Sequence, residues 1–309
     1  MMPSGELLSG VLTQTQVAGW EWLIAVFLWL AGISGMGSVA YYWYRRASLA
    51  YTLLISIVLA LVFVVADLTR PWNVFNAIVT AMLSGTYNWS SWMALGIVLL
   101  VVQLILLLAV SLHHAGLGRI RGFSWISRLA SSNIFLALVG FSGFMVTIYS
   151  GFLISQASGI SLWNTALIPA LWIVSASVCS VALVEIFSIF DSSREHAEEM
   201  KKIGVRIGLS IDLFELFLLL SFIYVSLTFI SLGARLGAEM ILYGELAPIT
   251  WIGVIGLGII YPALVGAYTV ISKRYVKALI LSAALLALIG ALLLRYVILA
   301  GGVYEPLYI

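Results

Sequence analysis

Apolar stretches of about 20 residues recur along the chain, separated by short polar or basic connections. Helix of that length rises about 30 Å, enough to cross the hydrocarbon of a bilayer. The pattern predicts spans at about 20–44, 49–66, 91–112, 130–154, 165–189, 207–231, 249–271 and 278–300. Aromatic residues gather near many of these ends, among them Trp20, Trp22, Tyr41 to Tyr44, Trp89, Trp92 and Trp163. Simple anchoring at the membrane interface accounts for any one of them. Between the second and third spans, residues 67–90 hold the apolar, helix-like run Val74 to Leu83, expected to lie along the membrane surface as a floor for a docked partner. The connection Asp191 to Arg206 is the one sizeable charged stretch, and its Glu195/Glu199 and Glu198/Lys202 pairs fit a solvated helical extension.

Composition agrees. Of 309 residues, 63% are hydrophobic and 9% charged, with a mean hydropathy of +1.13. A water-soluble domain carries about 25% charged residues, so too few are present here to coat a wet surface. The first 20 residues hold no Lys or Arg, which argues against a signal peptide and for a retained first span. A single cysteine, Cys179, excludes an internal disulfide, an iron–sulfur cluster or a structural zinc site.

Charge placement orients the chain. The odd-numbered connections hold twelve of the 15 basic residues: Arg45 and Arg46; Arg119, Arg121 and Arg128; Arg194, Lys201, Lys202 and Arg206; Lys273, Arg274 and Lys277. Only Arg70 and Arg235 fall on the other side, and Arg295 lies within the last span. The positive-inside rule puts the odd connections in the cytoplasm and both termini outside. The expected architecture is an all-α integral membrane protein: one polytopic domain over 1–309, with eight transmembrane helices in two four-helix bundles.

A charge in mid-span costs about 2.5–3.5 kcal/mol on insertion scales, so each needs a partner or a purpose. Glu21, Asp67, Arg70 and Arg295, with Tyr149, Trp163 and Asn164, sort towards the outer face. Glu185, Asp212, Glu215, His113 and His114 sort towards the cytoplasmic one. An Asp67–Arg70 surface pair is the plain reading of the outer group; it is weaker for Arg295, about five residues inside its span's end, though so long a side chain can still snorkel. Asp212 and Glu215 are three apart on one helical face, so they suit either exposure at a helix end or proton exchange. Adjacent His113 and His114, with His196 in a connection, do not clamp a heme from two sides. No phosphate-binding loop or zinc spacing is present. Ala31/Gly35 and Ser34/Ser38 make small-residue packing faces in the first span, and Gly253, Gly256 and Gly258 loosen the seventh.

Three stretches together resemble the NrfD/polysulfide reductase membrane-subunit family. They are Asp67-Leu68-Thr69-Arg70-Pro71 followed by Ser90 to Gly96 (SSWMALG); Tyr149-Ser150-Gly151 followed by Leu162-Trp163-Asn164-Thr165-Ala166-Leu167-Ile168-Pro169; and Arg295-Tyr296-Val297 through Ala300-Gly301. Their order and spacing carry the resemblance over nearly the whole chain, and the Leu-Trp-Asn-Thr run is its most specific part.

The resemblance implies a membrane anchor subunit of a respiratory oxidoreductase, such as a polysulfide or related sulfur-compound reductase. It would exchange electrons between a membrane quinol (menaquinone or another quinone) and the iron–sulfur clusters of a ferredoxin-like subunit. A molybdopterin catalytic subunit would complete the assembly, docked on the extracytoplasmic side of the cell membrane. No heme or cluster is expected in this chain, and no nucleic-acid partner. A quinone site needs an apolar slot, donors for the carbonyls and a proton acceptor. Tyr149 is the expected headgroup donor, with Asp67, Arg70, Asn164, Arg295 and Trp22 shaping the site. Glu215, Asp212 and Glu185 form a candidate proton path. Ile24 and Phe27 stand where some members carry polar Asn and His, a departure that bears on headgroup geometry; Glu21 and Trp22 are the substitutes at hand. A secondary transporter or a purely structural anchor are the competing readings.

Overall fold

The computed structural model describes residues 16–20, 22–116, 124–191, 194–228 and 231–305, the side chains of Val74 and 194–202 excepted. Glu21, Arg119 and Arg121 therefore lie outside the described residues, as do the side-chain pairs expected at 195–202. Among the described residues, eight helices are long and apolar enough to cross a membrane. They are α1 (Trp22–Tyr41), α2 (Ala47–Asp67), α4 (Trp92–His114), α6 (Asn133–Ser155), α7 (Leu167–Phe190), α8 (Arg194–Thr228, its span Ile203–Thr228), α10 (Ile249–Ser272) and α11 (Lys277–Ala300). Shorter helices are α3 (Pro71–Leu83), α5 (Ser124–Ala130) and α9 (Leu232–Leu242). The described chain is all-helical apart from an isolated Val17–Val303 bridge. It is a multi-pass membrane protein.

Helix α1 sits at the centre, packed against α2, α6, α7 and α11, while α7 also packs on α8 and α11. Small residues permit this. A Cβ on Gly35 of α1 would lie 2.6 Å from the Gly143 carbonyl of α6, so two backbones nearly touch where the sequence shows its small-residue face. Gly258 of α10 and Gly290 of α11 meet in the same manner, a Cβ on Gly258 falling 2.6 Å from the Gly290 Cα. The first half of α10, Ile249–Ile260, winds as a π-helix. Pro262 withholds an N–H from the preceding turn, and Gly253, Gly256 and Gly258 put no side-chain bulk in the way of wider winding.

The spans end in two differently built faces. On the basic face, which carries Arg45, Arg46, Arg128 and Lys273 to Lys277, α1 stops at Tyr41 rather than continuing to residue 44. Residues 42–46 are pulled into a clamp instead. Arg46 pairs with Asp191 at 2.8 Å, Tyr44 donates to the same carboxylate at 3.3 Å, and Arg45 donates to Asn133 at 2.9 Å. Burial, then the adjacent Asp191 charge, push the Tyr44 phenol up to about 12, so it remains a donor at any physiological pH.

On the opposite face, Glu305 is a keystone. Its carboxylate accepts from Ser161 (2.8 Å), Ser231 (2.6 Å) and the Gly233 N–H (3.2 Å), tying three connections together at the start of α9. Helix α3, between the ends of α2 and α4, has Trp72 78% and Leu83 84% exposed and no buried residue among its described side chains. It begins at Pro71, whose missing N–H costs nothing at a first helical position.

The Gly258–Gly290 crossing yields a stability prediction. Gly290→Leu should overpack α10 against α11, costing about 1–3 kcal/mol, and lower the unfolding midpoint in detergent. An unchanged midpoint would mean that the two helices do not touch there.

Candidate functional site

The three sequence stretches that carry the family resemblance are far apart in the chain, yet the fold meshes them at the opposite-face ends of the spans. Tyr149 of α6 lays its ring directly on Gly96 of α4, and no side chain at 96 would fit beneath it. One turn outward, Trp92 and Phe152 stack with centroids 4.8 Å apart. Gly151 abuts Pro169 of α7, where an added Cβ would sit 2.6 Å from the proline Cα. Trp163 is buried, stacks on Trp20 at 5.5 Å, and donates its Nε1–H to the Ile298 carbonyl at 2.7 Å. That carbonyl belongs to the last turn of α11, where no helical N–H follows to claim it. The most specific piece of the sequence signature is thus a helix cap.

Tyr149 is 4% exposed, and its hydroxyl meets no protein partner among the described residues. A phenol held rigid against a glycine, with its hydroxyl uncommitted, is suited to bonding a ligand oxygen. The other nominated residues occupy different places. Trp22 stacks face to face on Tyr296 at 3.7 Å, beside Arg295 in sequence. Asn164 is exposed next to buried Trp163. Asp67 ends α2 half-buried, Arg70 precedes α3 and is exposed, and no ion pair joins them. Contacts therefore link Tyr149 to Gly96, and Trp22 to the Tyr296 turn, but do not draw all six into one cluster.

Arg295 departs most from the sequence expectation. Its guanidinium does not snorkel outward. The side chain runs towards the start of α11, as helical side chains do, and Nη1 donates to the Ala291 carbonyl one turn back at 2.8 Å. The same nitrogen donates to Ser175 of α7 at 3.1 Å, and the charge stands 5.6 Å over the Trp172 ring. Gly32 of α1 makes room: a Cβ there would lie 3.0 Å from Nη2. The whole residue is 1% exposed, and Nε and Nη2 find no protein acceptor among the described residues.

Ser175 joins Arg295 to a residue that the sequence places in the opposite group. Ser175 also faces Glu215 of α8, which is 2% exposed near the middle of its span and within electrostatic reach of Arg295. Asp212, one turn nearer the basic face, lies within electrostatic reach of both Glu215 and Glu185. Glu185 of α7 rests on the bare backbone of α8, its Oε1 3.8 Å from where a Cβ of Gly204 or Gly208 would be. Glu185 and Asp212 line a cavity of about 30 Å³ between α7, α8, α10 and α11, walled by Gly208, Pro262 and Gly266. That is room for about one or two waters. The three acids climb about 14 Å along α8 from the level of Gly204–Gly208 to Glu215.

Ser175, Gly32 and Trp172 are not legible as site residues in the sequence, because nothing local distinguishes them from other small or aromatic residues in apolar spans. A second buried polar contact, Gln103 to Ser38 at 2.7 Å between α4 and α1, is equally hidden there.

Residues 10–305 match the family model described as Polysulphide reductase, NrfD. The chain belongs to this family. It is 28% identical to Protein NrfD of Escherichia coli (strain K12), covering 92% of this chain and 94% of that one. The C subunit of polysulfide reductase from Wolinella succinogenes is 26% identical over 95% of this chain and 97% of its own length. A Protein NrfD homolog of Haemophilus influenzae is 22% identical, with 92% and 94% covered. NrfD-family proteins are membrane subunits of oxidoreductase complexes, and a multi-pass anchor of such a complex agrees with the fold described above.

Trp163→Phe should keep the ring but lose the cap on Ile298, destabilising the protein by about 1–3 kcal/mol. Thermal unfolding in detergent measures this, and a wild-type midpoint would show the bond contributes nothing.

Proposed function

We propose that this NrfD-family chain is the quinone-handling membrane subunit of a respiratory oxidoreductase, exchanging electrons between a membrane quinol and the iron–sulfur clusters of a ferredoxin-like partner. The observation that carries the reading is Tyr149: buried, immobilised on Gly96, and with its hydroxyl unclaimed by the described protein. Facing a quinone, the phenol O–H donates to a carbonyl oxygen. Facing a quinol, the same oxygen accepts. Oxidation of one quinol releases two electrons to the partner and two protons, and menaquinone or another quinone fits this chemistry equally. Trp92 and Phe152 flank the headgroup, while Trp22, Asp67, Arg70, Asn164 and Arg295 are the further residues assigned to the site.

The topology proposed with this function puts the basic face in the cytoplasm, both termini outside, and the partner on the opposite face, over α3 and the Glu305 platform. The heavy bias of basic residues towards one set of connections supports it. The eight spans form two bundles, α1–α2–α4–α6 and α7–α8–α10–α11, joined through α1 and α7. A catalytic subunit, of molybdopterin type, would carry the terminal chemistry beyond the cluster protein.

The acids supply a route for protons. Glu185 and Asp212 open to the cavity in the cytoplasmic half, and Glu215 with Ser175 extends the row to mid-membrane. Protons taken up from the cytoplasm would move along this row towards the quinone side.

Tyr149→Phe in the intact complex should leave assembly unchanged and lower quinol-linked electron transfer about tenfold or more, the loss expected for one buried hydrogen bond to a ligand. Full turnover in that variant removes Tyr149 from the site. In liposomes, Glu215→Gln should lower the number of protons moved per electron, and an unchanged ratio ends the proton route.

A further inference from the structure

We propose that Arg295 is a charge barrier, closing the inner end of the acid row against passive proton flow towards the opposite face. The inference rests on the proton route above and adds what that route needs in order not to short-circuit the membrane. Three features of the fold combine. The acids approach mid-membrane from one face only: from Leu216 to Thr228 on α8, from Leu167 to Ser175 on α7 and from Trp22 to Gly32 on α1, no acidic or basic side chain occurs. The guanidinium stands where the row stops, bonded to Ser175 and within electrostatic reach of Glu215. Its Nε and Nη2 edge has no protein acceptor among the described residues, so part of the positive charge is left uncompensated on that side.

A fixed cation in a poorly polarisable interior raises the energy of any second cation nearby far more than it would in water. An arginine at a constriction excludes protons in pores by this means. A proton that leaves Glu215 and passes beyond Ser175 must cross the field of the guanidinium, whose Nε and Nη2 meet no protein acceptor among the described residues. Gly32 lets the edge stay there, since a side chain on α1 would press on Nη2. Without turnover the row then ends at Glu215 and conducts no protons across.

The test uses the complete complex in liposomes, without quinol, under a potassium diffusion potential and with a pH-sensitive dye inside. Arg295→Gln should raise the passive proton flux about tenfold or more over wild type. Arg295→Lys should stay tight, because the charge is retained. Adding Glu215→Gln to Arg295→Gln should return the flux to baseline, since the leak draws on the acid row. Should Arg295→Gln fail to assemble, Arg295→Met, of similar length and apolar, must give the same results. A flux at the wild-type level in an assembled Gln or Met variant overturns the barrier. So does a raised flux that Glu215→Gln leaves in place, which would report general loosening. The two readings separate cleanly. Altered coupling in Glu215→Gln with a tight Arg295→Gln removes the barrier alone. Normal coupling in Glu215→Gln removes the route, and the barrier with it.

Discussion

A guanidinium locked inside lipid-embedded helices has to place its charge on neighbouring groups, and much of this fold is arranged around that necessity. Arg295 uses a carbonyl of its own helix, a serine of α7 and the face of Trp172, with the Glu215 carboxylate of α8 within electrostatic reach. Removing one partner from such a buried set is typically costly, because the remaining charge is left without compensation. Arg295 thereby faces groups on four helices, α1, α7, α8 and α11. Van der Waals packing alone holds membrane helices less specifically, since lipid tails are as apolar as the side chains they replace.

Much of the architecture was legible in the sequence, and the reason is physical. Crossing hydrocarbon imposes a length and an apolar composition that no packing detail can override. The eight predicted spans accordingly lie within a few residues of the observed helices. The surface helix expected from Val74 to Leu83 also appears, one turn longer at its proline start. What hydropathy does not encode is where a helix ends when a side chain takes over. Residues 42–44 are as aromatic as an interfacial belt, but Arg46 and Tyr44 reach Asp191 and unwind them. The π-wound half of α10 and the short α9 are likewise products of proline, glycine and tertiary contacts rather than of mean hydropathy.

The candidate site divides along the same line. Its residue types were visible: a tyrosine, an arginine and three acids in places where the membrane disfavours them. Their grouping was not. Depth read from sequence measures the Cα, whereas an arginine side chain extends well beyond it and in a definite direction. Arg295 starts near one face and ends near mid-span, which joins an outer group to an inner one. Ser175, which makes the join, looks in sequence like any other serine of an apolar helix.

Tyr149 and Arg295 share a construction that explains how a tightly packed bundle accommodates them. Each lies against a glycine of a neighbouring helix, Gly96 and Gly32. A membrane interior has no water to fill a badly shaped gap beside a polar group, so the space must be made by deleting a side chain. A glycine provides it while keeping the helix backbone hydrogen-bonded, and the polar residue is then held by shape on one side and left chemically open on the other. The phenol keeps an unclaimed hydroxyl and the guanidinium an unclaimed edge, and neither residue needs a water-filled channel to hold it in place. The same fit, of a polar side chain to a missing Cβ, serves a phenol near one end of its span and a charge near the middle of the helices.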